Sequence, residues 1–321
     1  MVSYQRPIGS GFGANTTTAQ VLEGLDLTGT TAIVTGGYSG IGLPTVRALA
    51  GAGATVVVPA RRPQAAAGEL GGVPGVEIAQ LDLADLASVR TFAESFLADG
   101  RSLDLLVNNA GVMASPLTRV GPGWEAQFAT NHLGHFALTA LLWPALVRAG
   151  GARVISLSSV GHKASDIRWD DLQFHNSYDK WQAYGQAKTA NVLFARHLDR
   201  LGEPAGVRAF SVFPGGIHTP LQRYLPKAEM VALGWIDEEG NDIYPWKSPD
   251  QGAATTVWAA TSPRLEGMGG VYCEDVDVAV IADLATEEGH NRGVNPYAID
   301  PESAQRLWVL SAGLTGTDIA G

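Results

Sequence analysis

Residues 31–51, TAIVTGGYSGIGLPTVRALAG, decide the fold. An apolar, β-branched run, Thr31–Thr35, enters a turn with glycines at 36, 40 and 42, and the turn opens an apolar helix expected over Ile41–Gly51. Glycine lets the backbone turn sharply and lets phosphate oxygens approach the amides of a helix N-terminus. The spacing is G-x-x-x-G-x-G, a pattern that packing turns also produce. Its place between a strand and a helix favours a nucleotide loop, with Gly36, Tyr38, Ser39, Gly40, Ile41 and Gly42 as candidate cofactor contacts.

Outward from this unit, short apolar runs alternate with longer amphipathic ones, the pattern of a parallel sheet covered by helices on both faces. Seven strands are expected: Thr31–Thr35, Thr55–Ala60, Val76–Gln80, Leu103–Asn108, Arg153–Ser158, Arg208–Phe213 and Gly270–Cys273. Helices are expected over Ile41–Gly51, Leu86–Ala98, Trp124–Ala149, Ala183–Leu201, Gln251–Ala260 and Pro301–Leu310. The chain divides into an N-terminal extension with a short capped helix (1–24), one doubly wound α/β domain (25–312) carrying a substrate loop at about 216–249, and a loose tail (313–321).

The 321 residues carry a formal net charge of −10, which argues against nucleic acid or an anionic membrane surface as the main partner. A single cysteine, Cys273, excludes an intrachain disulfide or a multi-thiolate zinc site and suits a reducing cytoplasm. No stretch reaches the ~18 apolar residues of a membrane span, so a soluble, cytoplasmic enzyme is expected.

The end of the second strand chooses between cofactors. An acidic residue there would bond the ribose 2′-hydroxyl, whereas Arg61 and Arg62 would pair with a 2′-phosphate, so NADP(H) is expected over NAD(H). Asp82 and Leu83 follow the third strand, where the carboxylate could receive the adenine amino group; Asn109, Ala110 and Gly111 follow the fourth, and both segments also make good turns. Tyr184 and Lys188, four residues apart, share one helix face, and a cation there favours the ionised form of a phenol whose pKa is otherwise near ~10. Ser159 closes the fifth strand at the same sheet edge without a neighbouring base or a G-x-S-x-G elbow, so it reads as a hydrogen-bond donor to a carbonyl, with Ser158 bracing it. Asn131 lies on a core-facing helical stripe, where a satisfied structural amide is one reading. His132 and His135 lack a third ligand, so packing is favoured and no metal is expected. The apolar and aromatic residues after Thr219, namely Leu221, Tyr224, Leu225, Met230, Leu233, Trp235, Ile236, Tyr244 and Trp246, suggest a lining for a bulky lipophilic substrate, or a lid packed on itself.

In chain order, TGGYSGIG, Asp82, NNAG, the asparagine of TNHLGHF, LSSV, YGQAK and PGGIHT resemble the short-chain dehydrogenase/reductase family, most closely its retinol dehydrogenase and WW-domain-containing oxidoreductase branch, over roughly residues 17–316. The resemblance implies a Rossmann-type fold and a tetrad of Asn131, Ser159, Tyr184 and Lys188. Tyr184 would be the acid/base, Ser159 would hold the substrate oxygen, Lys188 would bind the nicotinamide ribose and lower the tyrosine pKa, and Asn131 would hold a water. Pro214, Gly215, Ile217 and Thr219 fall in the segment that packs on the nicotinamide. The implied activity is NADP(H)-dependent interconversion of a ketone or aldehyde and an alcohol, in a homodimer formed through the two long helices. A sugar-nucleotide epimerase or dehydratase, or a noncatalytic NADP(H)-binding regulator, would share parts of this pattern. His218 in PGGIHT and the large Tyr38 depart from it.

Overall fold

The computed structural model describes residues 5–319. All seven expected strands form: β1 Thr31–Val34, β2 Thr55–Ala60, β3 Val76–Gln80, β4 Leu105–Asn108, β5 Arg153–Leu157, β6 Arg208–Phe213 and β7 Val271–Glu274. An eighth, β8 Asp277–Val278, extends the sheet beyond the seven expected, and it is antiparallel to β7. The order is β8-β7-β6-β5-β4-β1-β2-β3. Because the winding reverses between β1 and β4, the strand ends open a crevice there, the place where such sheets bind ligands.

Period-two alternation in β1 feeds two cores. Ala32 and Val34 pack with Val46 and Leu49 of the Gly42–Gly51 helix and with Val257 and Trp258 of the Pro249–Thr261 helix. Ile33 faces the other layer, with Phe92 and Phe96 of the Leu86–Ala98 helix, Phe136, and Phe194 of the long Lys180–Gly202 helix.

Several elements differ from the sequence reading. The helix expected over Trp124–Ala149 is segmented: Trp124–Glu125 pairs with Arg119–Val120 in a small hairpin, a π-helical turn spans Ala129–Leu133, and Gly134–Leu141 is separated from Trp143–Ala149 at Leu142, just before Pro144. The C-terminal helix runs over Pro301–Thr315, past the expected end, and Trp308 Nε1 donates to Asp318 Oδ1 at 3.1 Å, so residues 313–319 are held and not loose. Trp308 packs against Phe136, Phe194 and His197 at ring separations of 4.8, 5.9 and 5.2 Å.

The N-terminal residues close the far edge of the sheet. Gln5 Nε2 donates to the carbonyls of Tyr272 and Ala279, and Tyr272 N donates back to Gln5 Oε1 at 2.8 Å. The Asp277 carboxylate accepts the amides of Ile8, Gly9 and Ser10.

Candidate active site

The glycine turn holds its shape by close backbone approach. A Cβ on Gly42 would lie 2.4 Å from the Gly36 carbonyl oxygen, and one on Gly36, whose φ is +64°, would lie 3.0 Å from Ala110 Cα. Neither site accommodates a side chain without movement. The Gly42–Gly51 helix begins with no side-chain cap, leaving its N-terminal dipole facing the crevice. Tyr38 packs partly buried against the core.

Thr35 is the hub beneath the turn. Its Oγ1 accepts from the amides of Asn109 and Ala110 at 2.9 and 3.0 Å and meets His135 Nε2 at 2.9 Å, while Asn109 Nδ2 donates to the Thr35 carbonyl at 2.8 Å. Since His135 Nδ1 must donate to the Asn131 carbonyl, 2.9 Å away, Nε2 accepts from the Thr35 hydroxyl, and the imidazole is neutral. Burial pushes its pKa down to about 4. His132 finds its own partner in Ser311 Oγ, 2.8 Å away on the C-terminal helix. Neither histidine joins a metal-ligand group among the described residues.

Asn131 sits within the π-helical turn, a helical irregularity frequent at functional sites. Its Oδ1 accepts from Val112 N at 2.8 Å and its Nδ2 donates to Val112 O at 2.9 Å, so the amide holds the loop that follows β4. A Cβ on Gly111 would stand 3.2 Å from Asn131 Oδ1 and 3.8 Å from Lys188 Nζ, and the glycine keeps that space clear between amide and ammonium.

Tyr184 and Lys188 face the β5 end from the Lys180–Gly202 helix, whose start is capped by Asp179. Lys188 Nζ donates to the Leu157 carbonyl at 2.9 Å and lies 5.6 Å from the Tyr184 ring centroid. Asn191 Nδ2 donates to the same carbonyl at 2.8 Å. Burial lowers the Lys188 pKa to about 8 and raises that of Tyr184 to about 12, the second effect being opposed by a hydrogen bond with Ser159. Burial thus dominates at the phenol, while the Lys188 ammonium is bonded to a backbone carbonyl. Ser158 Oγ turns back to the Lys188 carbonyl at 2.9 Å, whereas Ser159 faces the phenol.

Around Tyr184 close Met113, Ala114, Leu225, Met230 and Ile236, with Trp181, Leu221 and Trp235 at the margin. Glu229 fastens this cover by accepting from Trp181 Nε1 at 2.9 Å and pairing with Lys180. Trp235, Trp246 and Tyr244 pack in series at 5.4 and 4.6 Å, and His218 pairs with Asp242 at 2.9 Å in the same loop.

At the cofactor end, Arg61 and Arg62 are exposed and neither guanidinium is bonded to another described residue. Asp82 Oδ1 accepts from Ala84 N at 3.0 Å, as a turn brace would. A Cβ on Gly134 would be 2.2 Å from the Leu83 carbonyl oxygen, so that glycine admits the Asp82–Leu83 turn against the helix. Past β6, Pro214 and Gly215, with φ +99°, lead to buried Ile217 and to Thr219, which caps the next turn and faces Gly40 across a depression they both line. The residues therefore fit a dinucleotide on three counts: a side-chain-free turn at a helix start, unpaired cations at the adjacent strand end, and a facing loop. Sequence reading missed Thr35, His135 and Asn191, whose bonds join residues far apart in the chain.

The family model of short chain dehydrogenases matches residues 30–230. A Streptomyces lividans protein named "Probable oxidoreductase" is 45% identical over 299 residues, covering 90% of this chain and 98% of its own. Mouse retinol dehydrogenase 11 is 36% identical, covering 92% and 89%. Among solved structures, an uncharacterised protein from Mycobacterium paratuberculosis superposes with a TM-score of 0.73 at 33% identity over 96% of this chain and all of its own. Pseudomonas aeruginosa RhlG, in an NADP active-site complex, superposes at 0.61 with 26% identity over 78% of this chain and 95% of its own. With the glycine turn, the Ser159–Tyr184–Lys188 cluster and these matches together, the chain belongs to the short-chain dehydrogenase/reductase family of oxidoreductases, near its retinol dehydrogenases.

Proposed function

We propose that this protein is a cytoplasmic NADP(H)-dependent reductase that interconverts a ketone or aldehyde and its alcohol on a bulky lipophilic or aromatic substrate. The observation that carries the reading is that the Tyr184 ring and Ser159 Oγ stand together beside Gly161, where a Cβ would lie 2.6 Å from Tyr184 Cε1 and 3.3 Å from Ser159 Oγ, beneath an apolar cover of Met113, Leu225, Met230 and Ile236. A proton donor beside a hydroxyl, under an apolar cover at the C-terminal edge of the sheet, suits a carbonyl oxygen.

Arg61 and Arg62 would hold the 2′-phosphate, the turn from Gly36 through Tyr38, Ser39, Gly40 and Ile41 to Gly42 the pyrophosphate, and Asp82 with Leu83 the adenine. Asn109, Ala110 and Gly111 would line one side of the crevice, with Pro214, Gly215, Ile217 and Thr219 on the nicotinamide side. When bound, the reduced nicotinamide supplies the hydride. Ser159 donates a hydrogen bond to the substrate oxygen, and Tyr184 delivers its phenolic proton to that atom; in the alcohol-to-carbonyl direction the tyrosinate takes the proton back. Lys188, its pKa already lowered to about 8 by burial, is ready to pass a proton toward the phenol, and the gap beside Gly111 between its ammonium and Asn131 suits a water.

The test is purified protein with NADPH and a panel of carbonyl compounds, followed by loss of nicotinamide absorbance. Bulky aromatic and lipophilic ketones or aldehydes should turn over faster than small polar ones. The opposite ranking defeats the substrate assignment, and cofactor retained without net turnover favours an epimerase or a regulator.

A further inference from the structure

Beyond Ser159 the chain runs Val160-Gly161-His162 into a one-turn helix, Val160–Ala164, whose first free amide, Gly161 N, is capped by Ser159 Oγ at 3.0 Å. His162, fully buried, makes two hydrogen bonds with its ring: Nδ1 lies 2.7 Å from the Ser159 carbonyl, and Nε2 lies 3.1 Å from the amide nitrogen of Asn295. A backbone amide can only donate, so Nε2 carries no proton. The imidazole is therefore neutral with its hydrogen on Nδ1, which donates to the Ser159 carbonyl. Burial agrees, pushing the pKa of His162 down to about 4. The ring packs on Tyr272 at 5.4 Å, and the His162 carbonyl accepts from Tyr297 Oη at 2.7 Å and Thr189 Oγ1 at 3.0 Å. Next to it, Lys163 Nζ donates to the Asn295 side chain and to the Gly289 carbonyl, each at 2.9 Å.

We propose that His162 is a positioning residue for the reduction, its Nδ1–H holding the Ser159 carbonyl and its Nε2 held in turn by the Asn295 amide, so that the segment around residue 295 sets where the serine hydroxyl points. The inference rests on the reading of Ser159 and Tyr184 as the reacting pair. His162 touches neither substrate nor cofactor; it acts through the serine backbone.

Two near-isosteric replacements separate its two bonds. His162→Asn keeps an N–H near the δ position and gives up the ε acceptor; His162→Gln keeps the ε acceptor and gives up the δ donor. For each, kcat, carbonyl KM, the Kd of NADPH by fluorescence, and Tm are measured on the full chain. H162Q should lower kcat by about ten- to a hundredfold, the rate equivalent of losing a hydrogen bond of ~1–3 kcal/mol, with the NADPH Kd within about twofold of wild type. H162N should recover most of that rate at a Tm no higher than that of H162Q. Equal kcat losses in both variants in step with Tm, or no loss in either, overturns the role. Asn295→Pro, read against Asn295→Ala, serves should H162Q fail to fold: Asn295 has φ −67°, which suits proline, both changes remove the side-chain acceptor of Lys163, and only proline also deletes the N–H that fixes the tautomer. The kcat of N295P should fall by about five- to tenfold below that of N295A, and an equal kcat in the two overturns the role. Tyr184→Phe is run alongside. An inactive Y184F with H162Q at the wild-type rate overturns this role alone, whereas an active Y184F overturns the reacting-pair reading and this role with it.

Discussion

Replacing Gly161 with alanine should cripple turnover without disturbing the cofactor. A Cβ there would lie 2.6 Å from Tyr184 Cε1 and 2.9 Å from Cδ1, against the ~3.5–4.0 Å at which carbons normally meet. The ring edge would have to retreat by about 1 Å within a buried cluster that also holds Met113, Leu225, Met230 and Ile236, where packing leaves little room to give. Overpacking of this kind costs about 1–3 kcal/mol, which should lower Tm by several degrees. The effect on rate should be larger in proportion, since a ~1 Å misplacement of a reacting group can cost ~100-fold. Gly161 does not have a positive φ, so alanine fits the backbone and the perturbation is purely steric. The assay is steady-state kcat with NADPH and the best ketone of the panel, together with NADPH Kd and Tm. The double variant G161A/Y184F should be no slower than Y184F alone, because both changes act on one phenol. A G161A enzyme with kcat within about twofold of wild type would refute the claim that this notch places the acid; so would a rate loss matched by an equal loss of NADPH affinity.

Arg61→Asp should move the NADPH/NADH ratio of kcat/KM toward NADH by at least about tenfold, through loss of a charge-assisted bond to phosphate and repulsion in its place; an unaltered ratio removes the NADP(H) assignment. Asp199→Ala should destabilise the fold by about 3–5 kcal/mol in urea titrations, because Asp199 accepts Arg208 Nε and Nη2 at 2.8 and 2.9 Å and also the Ala209 amide; a loss under about 1 kcal/mol would contradict that account. Acid should unfold the protein early. Burial holds His132 near pKa 3 and His135 and His162 near 4, against 6.5 for a free imidazole, so the unfolded chain binds more protons and stability is lost as pH falls from about 6.5 toward 4. At pH 5.5 this amounts to about 1.4 kcal/mol per histidine, and a urea midpoint that stayed flat between pH 7 and 5 would contradict it. Glu229→Gln weakens the tie of the cover to Lys180 and Trp181 and should raise the carbonyl KM by about two- to fivefold with NADPH Kd unchanged; equal changes in both constants would argue that the tie does not serve the substrate side.

What could be read in the chain was whatever is local. The β-branched runs of β1 and β2, the glycine turn and the Asp85 cap of the Leu86–Ala98 helix each carry their signal within a few residues. The Pro63–Leu70 helix escaped because PQAAAGEL offers no amphipathic stripe, only a proline suited to a first turn. The segmentation around Ala129–Leu133 escaped because a π turn leaves a continuous apolar pattern, and β8 because two residues show no period. The candidate reacting residues, Tyr184 and Lys188, stood out by spacing. Those that act by holding something distant did not: Thr35 reaches across to Asn109 and His135, and His162 meets Asn295 from 133 residues away. Nor does composition tell whether Leu225, Met230 and Ile236 cover the phenol or lie open; that depends on Glu229 reaching back to Trp181.

The grip of Gln5 on Tyr272 and Ala279 bears on how the molecule is made. The Gln5 side chain has no mate until some 270 positions more have been polymerised, so this contact forms late, after the strands at the centre of the sheet have been made. The flank of β7 is thus among the last parts of the sheet to close, and a substitution at Gln5 would burden this late closure more than the chemistry.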